Sequence, residues 1–251
     1  MGIMKNALRE RIRRKDIYVV IMIGILIVMM CMSGAATLSI NGVSVTEFQM
    51  VMPLVMNVIS VLGGGIAIAL SLRTIPNEYE RKTSHLVWIR GVSQWKYHGQ
   101  LALANIVSSV GALFILYAGV MIFAAVRGET GVLVKGVPAF LIFSVSTAAV
   151  SLFTSAVSLV LPSMAAGVLC AAFMLAGTMH PILETVSGIV SGVSRQLVRA
   201  ILFIVPDLYA AESQAANLLS GKTVQIHSIL GGLLVLYVCG LLLFVIRRKE
   251  A

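Results

Sequence analysis

His180 and Glu184 stand four residues apart around Pro181. On a helix that spacing puts an imidazole and a carboxylate on one face. Ionisable groups inside an apolar segment are costly, and where they occur they are candidates for gates, relays or ion pathways. His180 and Glu184 are therefore candidates for an outer-leaflet pathway or gate if the apolar helix runs through them. The alternative is a helix that ends near His180 and leaves both groups in water. Elsewhere the chemistry is sparse. The chain has no HExxH and no GxSxG run. "SGKT" at 220–223 resembles the end of a phosphate-binding loop, but that loop needs a glycine where Ala216 stands. Cys31, Cys170 and Cys239 lie in apolar runs with no CxxC spacing. Neither a disulfide framework nor a zinc site is indicated, and the cysteines are expected to pack as small hydrophobes. No catalytic, cofactor-binding or metal-binding residue can be named.

The densest cluster of charge is "IPNEYERKTSHLVWIRG", residues 75–91. Asn77 is a good N-cap, and Glu80 three residues later completes a capping box. Glu78 and Glu80 sit where a helix dipole is positive, and Arg90 where it is negative. Gly91 can take the left-handed conformation that stops a helix. The spacing predicts a helix over Glu78–Arg90, about 20 Å long at 1.5 Å per residue. Tyr79, Thr83, Leu86, Val87 and Arg90 share one face, and Glu78 pairs with Lys82 at i, i+4. An apolar stripe ends in Trp88 and Ile89. Such a helix either docks a partner or lies on a solvated or membrane surface.

The elements around these residues are greasy. Of 251 residues 59% are hydrophobic and 12% charged, with a mean hydropathy of +0.98. A soluble globule has about 25% charged residues. Too little polar surface exists to face water, so the fold class is an all-α integral membrane protein. Six spans are expected, at about 17–37, 50–73, 99–126, 138–161, 164–186 and 228–246, each long enough for ~30 Å of hydrocarbon. The fifth is the least clean, because its apolar run stops at Thr178. With the N-terminus inside, the inner segments carry 14 of the 19 lysines and arginines. That bias puts both termini in the cytoplasm and makes Glu78–Arg90 cytoplasmic. It also accounts for the basic excess without nucleic acid. The run "IYVVIMIGILIVMM" is rather long for a signal peptide.

Residues 3–16 place Met4, Leu8 and Ile12 on one side of a basic helix, either an interfacial amphipathic helix or a plain basic anchor. In both cases its cations are expected beside anionic head groups. "SRQLVRAILFIV" in the long outer connection, 187–227, is too short to span and is expected to lie in the interface or to dip in and return. Gly63–Gly65 suits close helix approach or a bend.

A basic amphipathic start, six spans, a charged helix between spans two and three and a long outer loop before span six resemble the permease subunits of type-2 ATP-binding cassette (ABC) exporters. The residues that carry the likeness are "NEYERKTSHLVWIRGVSQWKYHGQ", 77–100. The family pattern there is Glu-x-Glu-x-Gly-Thr, a hydrophobic stretch, a Pro-Val-Ser/Thr-Arg-like turn and Gly-Lys. Glu78, Glu80, Thr83, Leu86, Val92, Ser93 and Gly99 fit it. Lys82, Gly91 and Gln100 depart from it, which leaves the subfamily and the substrate open. The resemblance implies a single permease domain in the cell membrane that forms a pathway with a second permease, as a homodimer or heterodimer. It implies separate ABC ATPase subunits that carry ATP and Mg, with no cofactor on this chain. The coupling helix would seat on the ATPase through Glu78, Tyr79, Glu80, Thr83, Leu86, Val87, Trp88 and Arg90. After Leu219–Gly221 stand Lys222 and Thr223 rather than the Gly-Gln of an ATPase signature, so no ATPase is expected here. A non-ABC channel or a membrane-embedded enzyme is the alternative.

Overall fold

The computed structural model describes residues 2–13, 16–32, 38–40, 43–45, 48–81, 89, 91–126 and 128–246. The helices are α1 (Gly2–Arg13), α2 (Asp16–Met32), α3 (Phe48–Leu72), α4 (Thr74–Glu80), α5 (Gln94–Val126), α6 (Thr130–Val160) and α7 (Ser163–Thr178). α8 (His180–Ile189), α9 (Val193–Ile204), α10 (Tyr209–Leu219) and α11 (Ile226–Ile246) follow. Between α2 and α3, β1 (Leu38–Ile40) and β2 (Val43–Val45) form a small antiparallel pair, with Leu38 opposite Val45 and Ile40 opposite Val43.

Among the described residues, three stretches are long and apolar enough to cross a membrane: Val55–Glu80, Gln94–Val126 and Thr130–Val160. α5 has 33 residues, about 50 Å at 1.5 Å per residue and well beyond the ~30 Å of hydrocarbon. Its polar start, "QWKYHGQ", is the end able to project into water. Large apolar side chains are exposed along the helices, among them Met22, Phe114, Val134, Met164, Val168 and Leu234. Exposed apolar surface on this scale suits a lipid surround.

The expected fifth span, about 164–186, is not straight. α7 and α8 meet at a 68° bend. The reason is Pro181, near the start of α8. It has no N–H to return to Gly177, and its ring would clash with that carbonyl if α7 ran on.

α6 is the hub and packs against α3, α5, α10 and α11. The seam between α3, α5 and α6 is polar. Ser71 and Ser151 share a hydroxyl hydrogen bond of 2.9 Å. Asn105 Nδ2 donates to Ser155 Oγ at 2.7 Å. Ser71, Asn105, Ser109, Ser151 and Ser155 are all fully buried. Small hydroxyls let helices approach closely and tie them together where water is absent. Gly63 has the related role expected of it: a Cβ there would stand 2.7 Å from Leu113 Cδ1 of α5. At Gly64 a Cβ would collide with Met174 of α7.

Candidate functional site

α4 begins at Thr74, with Arg73 as N-cap and Arg81 as C-cap. Helix therefore starts earlier than the expected Glu78, and Asn77 lies inside it: its N–H bonds back to Arg73 O at 3.0 Å. Two facts explain the early start. Pro76 falls in the first turn, where no N–H is needed. Ile75, completely buried, anchors that turn among Tyr97, Leu101, Leu152, Ala156 and Leu159 of α5 and α6. Side-chain burial thus overrides the capping pattern read from residues 77–80.

Two consecutive residues of α4 then meet two consecutive residues of α5. Tyr97 Oη donates to Glu78 Oε2 at 2.7 Å. Tyr79 Oη and His98 Nε2 share a hydrogen bond of 2.7 Å. Tyr97 and His98 are buried, and a phenol bonded to a carboxylate is among the stronger hydrogen bonds. Of the residues expected to face a partner, Glu78 and Tyr79 therefore engage α5, whereas Glu80 is exposed. Thr83, Leu86, Val87, Trp88 and Arg90 lie outside the described residues. Within the same stretch Ile89 is 82% exposed, and Gly91 takes φ 74°, the left-handed conformation expected of it.

α1 completes this junction. Arg11 Nη2 donates to Leu70 O and Thr74 Oγ1, each at 2.8 Å, and also to Asn105 Oδ1. Arg11 is thus drawn into the protein and does not sit beside head groups as expected of the basic residues of α1. The cause is the set of acceptors gathered there: Leu70 O near the end of α3, the Thr74 hydroxyl and the buried Asn105 carbonyl oxygen together take hydrogen bonds from the cation. The exposed Arg81–Glu10 ion pair, 2.9 Å, links α1 to the end of α4, a contact of small energy. Ala7, Glu10, Arg11, Arg73, Thr74 and Glu78 border a cavity of about 130 Å³.

A second cluster lies at the other end of α7. His180 Nδ1 is 3.8 Å from Glu184 Oε1, so the pair read from the sequence does come together. His180 is largely covered and Glu184 exposed. The structure adds Asp207, which sequence reasoning missed. Its Oδ1 accepts the Ala210 N–H at 3.0 Å and so caps α10. Burial pushes the Asp207 carboxyl above the usual carboxylate range. His180 and the Ala210 N–H pull it down, and Glu184 pushes it up. The dipeptide Pro206-Asp207 was the available signal, a turn-and-cap pair before a helical run. Leu208 and Pro206 O lie against Gly177, which seats α10 on α7. α9 exposes Val193, Leu197, Phe203 and Ile204 and has no buried residue, as a helix lying in an interface would.

"SGKT" has a structural role. Lys222 N–H bonds to Asn217 O at 2.8 Å and Gly221 N–H to Leu218 O at 3.1 Å. With Gly221 at φ 78°, this is a Schellman motif that ends α10. Cys170 is buried between α7 and its neighbours, as expected of a small hydrophobe. No group of three His, Cys, Asp or Glu residues among the described residues is placed to hold a metal ion. Comparison of the chain with models of protein families, with curated proteins and with solved structures gave no match.

Proposed function

We propose that the chain is the permease subunit of an ABC exporter in the cell membrane. α2, α3, α5, α6, the bent α7–α8 pair and α11 form six spans, with both termini in the cytoplasm. The observation that carries the reading is the clamp of α4. A loop that only joins two spans has no need of a rigid attachment. Here the connector is pinned by Ile75, by the Glu78–Tyr97 and Tyr79–His98 hydrogen bonds, and through Arg11 to α1. Force applied to residues 80–90 by an ATPase subunit passes directly into α3 and α5. The serines and Asn105 within this chain bond to one another and are fully buried. They work as glue between helices, so the pathway runs between two permease chains, alike or related. ATP and Mg belong to the separate ATPases, and the substrate class is left open.

The test is purification from native membranes with mass measurement of the complex. Two permease chains and two ATPases are expected. Trp88→Ala is expected to weaken ATPase capture about thirtyfold or more, since truncating an aromatic anchor costs ~2 kcal/mol or more. Glu78→Gln has a smaller effect, confined to the clamp. A stable single chain without an ATPase that remains active in vesicles refutes the proposal.

A further inference from the structure

Glu212 lies in the small, apolar sequence of α10, "YAAESQAANLL". It is 3% exposed. Ser60 and Asn57 of α3 hydrogen-bond to it, yet its Oε2 has no hydrogen-bonding partner among the described residues. An ionised carboxylate is an acceptor at both oxygens, and burying the charge without a counter-charge is expensive.

Among the described residues, the surroundings offer no such counter-charge. α3 contains no ionisable residue. The sole charged residue of α6 is Lys135, whose Nζ lies beside Gly221, past the far end of α10. On α11, His227 is exposed and Tyr237 Oη donates to Val145 O at 3.0 Å. α7, against the start of α10, has only Cys170. On α10 itself, Tyr209 precedes Glu212 by one turn, with Asp207 just before it and His180 and Glu184 around Asp207. Among the described residues, those nearest along α10 are therefore acidic or phenolic, and His180 lies beside Asp207 rather than against Glu212.

We propose that Glu212, with Ser60 and Asn57, is a proton-binding site that latches α10 onto α3. The carboxyl is protonated while α10 is docked and ionises when α10 leaves. A neutral acid tolerates one unpartnered oxygen far better than a carboxylate does. The direction of titration agrees: burial pushes the Glu212 carboxyl from an ordinary 4.5 up to about 7, against the pull of the Ser60 and Asn57 hydrogen bonds. The docked form thus holds its proton where the released form has lost it. Docking is strongest below the released-state value, weakens as pH rises towards the docked value, and levels off above it. Between pH 6 and 8 the docking equilibrium falls about tenfold. The latch is independent of ATP coupling and of any partner.

The experiment is hydrogen exchange of residues 207–221 in the full chain in lipid nanodiscs at pH 6 and 8, corrected for intrinsic exchange. Wild-type protection should fall about tenfold. Glu212→Gln, neutral at both values, should keep its protection. Equal pH responses in the two proteins would assign the effect to Asp207 or His180 and overturn the proposal, and so would a flat wild type. Should Glu212→Gln fail to fold, infrared titration replaces it. The protonated-carboxyl band should be present in the wild type at pH 6 and lost by pH 9. Ser60→Ala removes a donor to the ionised form and should move that midpoint upward. An absent band, or a midpoint indifferent to Ser60→Ala, overturns the site.

Discussion

Arg11→Ala removes the side chain that makes the internal hydrogen bonds of α1 to α3, α4 and α5. Its guanidinium serves Leu70 O and Thr74 Oγ1 at 2.8 Å, and Asn105 Oδ1. The three acceptors do not suffer equally. Leu70 O keeps the Thr74 hydroxyl at 2.8 Å, and Thr74 is only partly buried. Asn105 is completely buried, so its Oδ1 is stranded. A hydrogen bond from a charged donor contributes about 1.5–3 kcal/mol, and a stranded buried acceptor costs about 1–3 kcal/mol. Because these overlap, the loss in α1 docking is about 2–4 kcal/mol, roughly 30- to 1,000-fold in the docking equilibrium. Hydrogen exchange over residues 2–13 in nanodiscs measures it. Arg9, exposed on the same helix, is the control, and Arg9→Ala should change docking by less than ~0.5 kcal/mol. Arg11→Lys keeps the charge but loses the planar fork and should fall between. In a double-mutant cycle Arg11→Ala and Asn105→Ala should be strongly non-additive. If Arg9→Ala and Arg11→Ala release α1 equally, lipid head groups hold the helix and the internal contact contributes nothing.

Two further outcomes follow from the same geometry. Ile75→Ala should cost about 2–5 kcal/mol, as for other fully buried large-to-small changes, and should expose α4 to exchange while α6 stays protected; unchanged protection of α4 would mean that the polar clamp alone holds it. Single cysteines at 43, 88, 130 and 222, in a background without the native three, should react with an impermeant thiol reagent from outside at 43, 130 and 222 but not at 88; labelling of 88 from outside reverses the topology.

Helical, membrane-class character was legible because it is a local and additive property. Runs of apolar residues as long as those within α3, α5 and α6 need no partner to declare themselves, since the bilayer thickness sets the length required. Punctuation was legible for the same reason: Gly91 takes a left-handed φ of 74°, and Pro181 marks the 68° bend within the expected fifth span. Tertiary structure decided what depends on a distant neighbour. α4 starts at Thr74 because a pocket made by α5 and α6 receives Ile75, which no capping signal at 77–80 could announce. Arg11 turns inward because the end of α3 and Asn105 of α5 together offer acceptors, 59 and 94 residues away. Asp207 joins His180 only because the chain returns onto α7 after α9. Glu212 reads as an ordinary polar residue of a loop helix until α3 covers it. Charge and hydrogen-bonding capacity belong to single residues, but the cost of burying them belongs to the packed neighbours, and that cost is what turns Arg11 and Glu212 from surface groups into working parts.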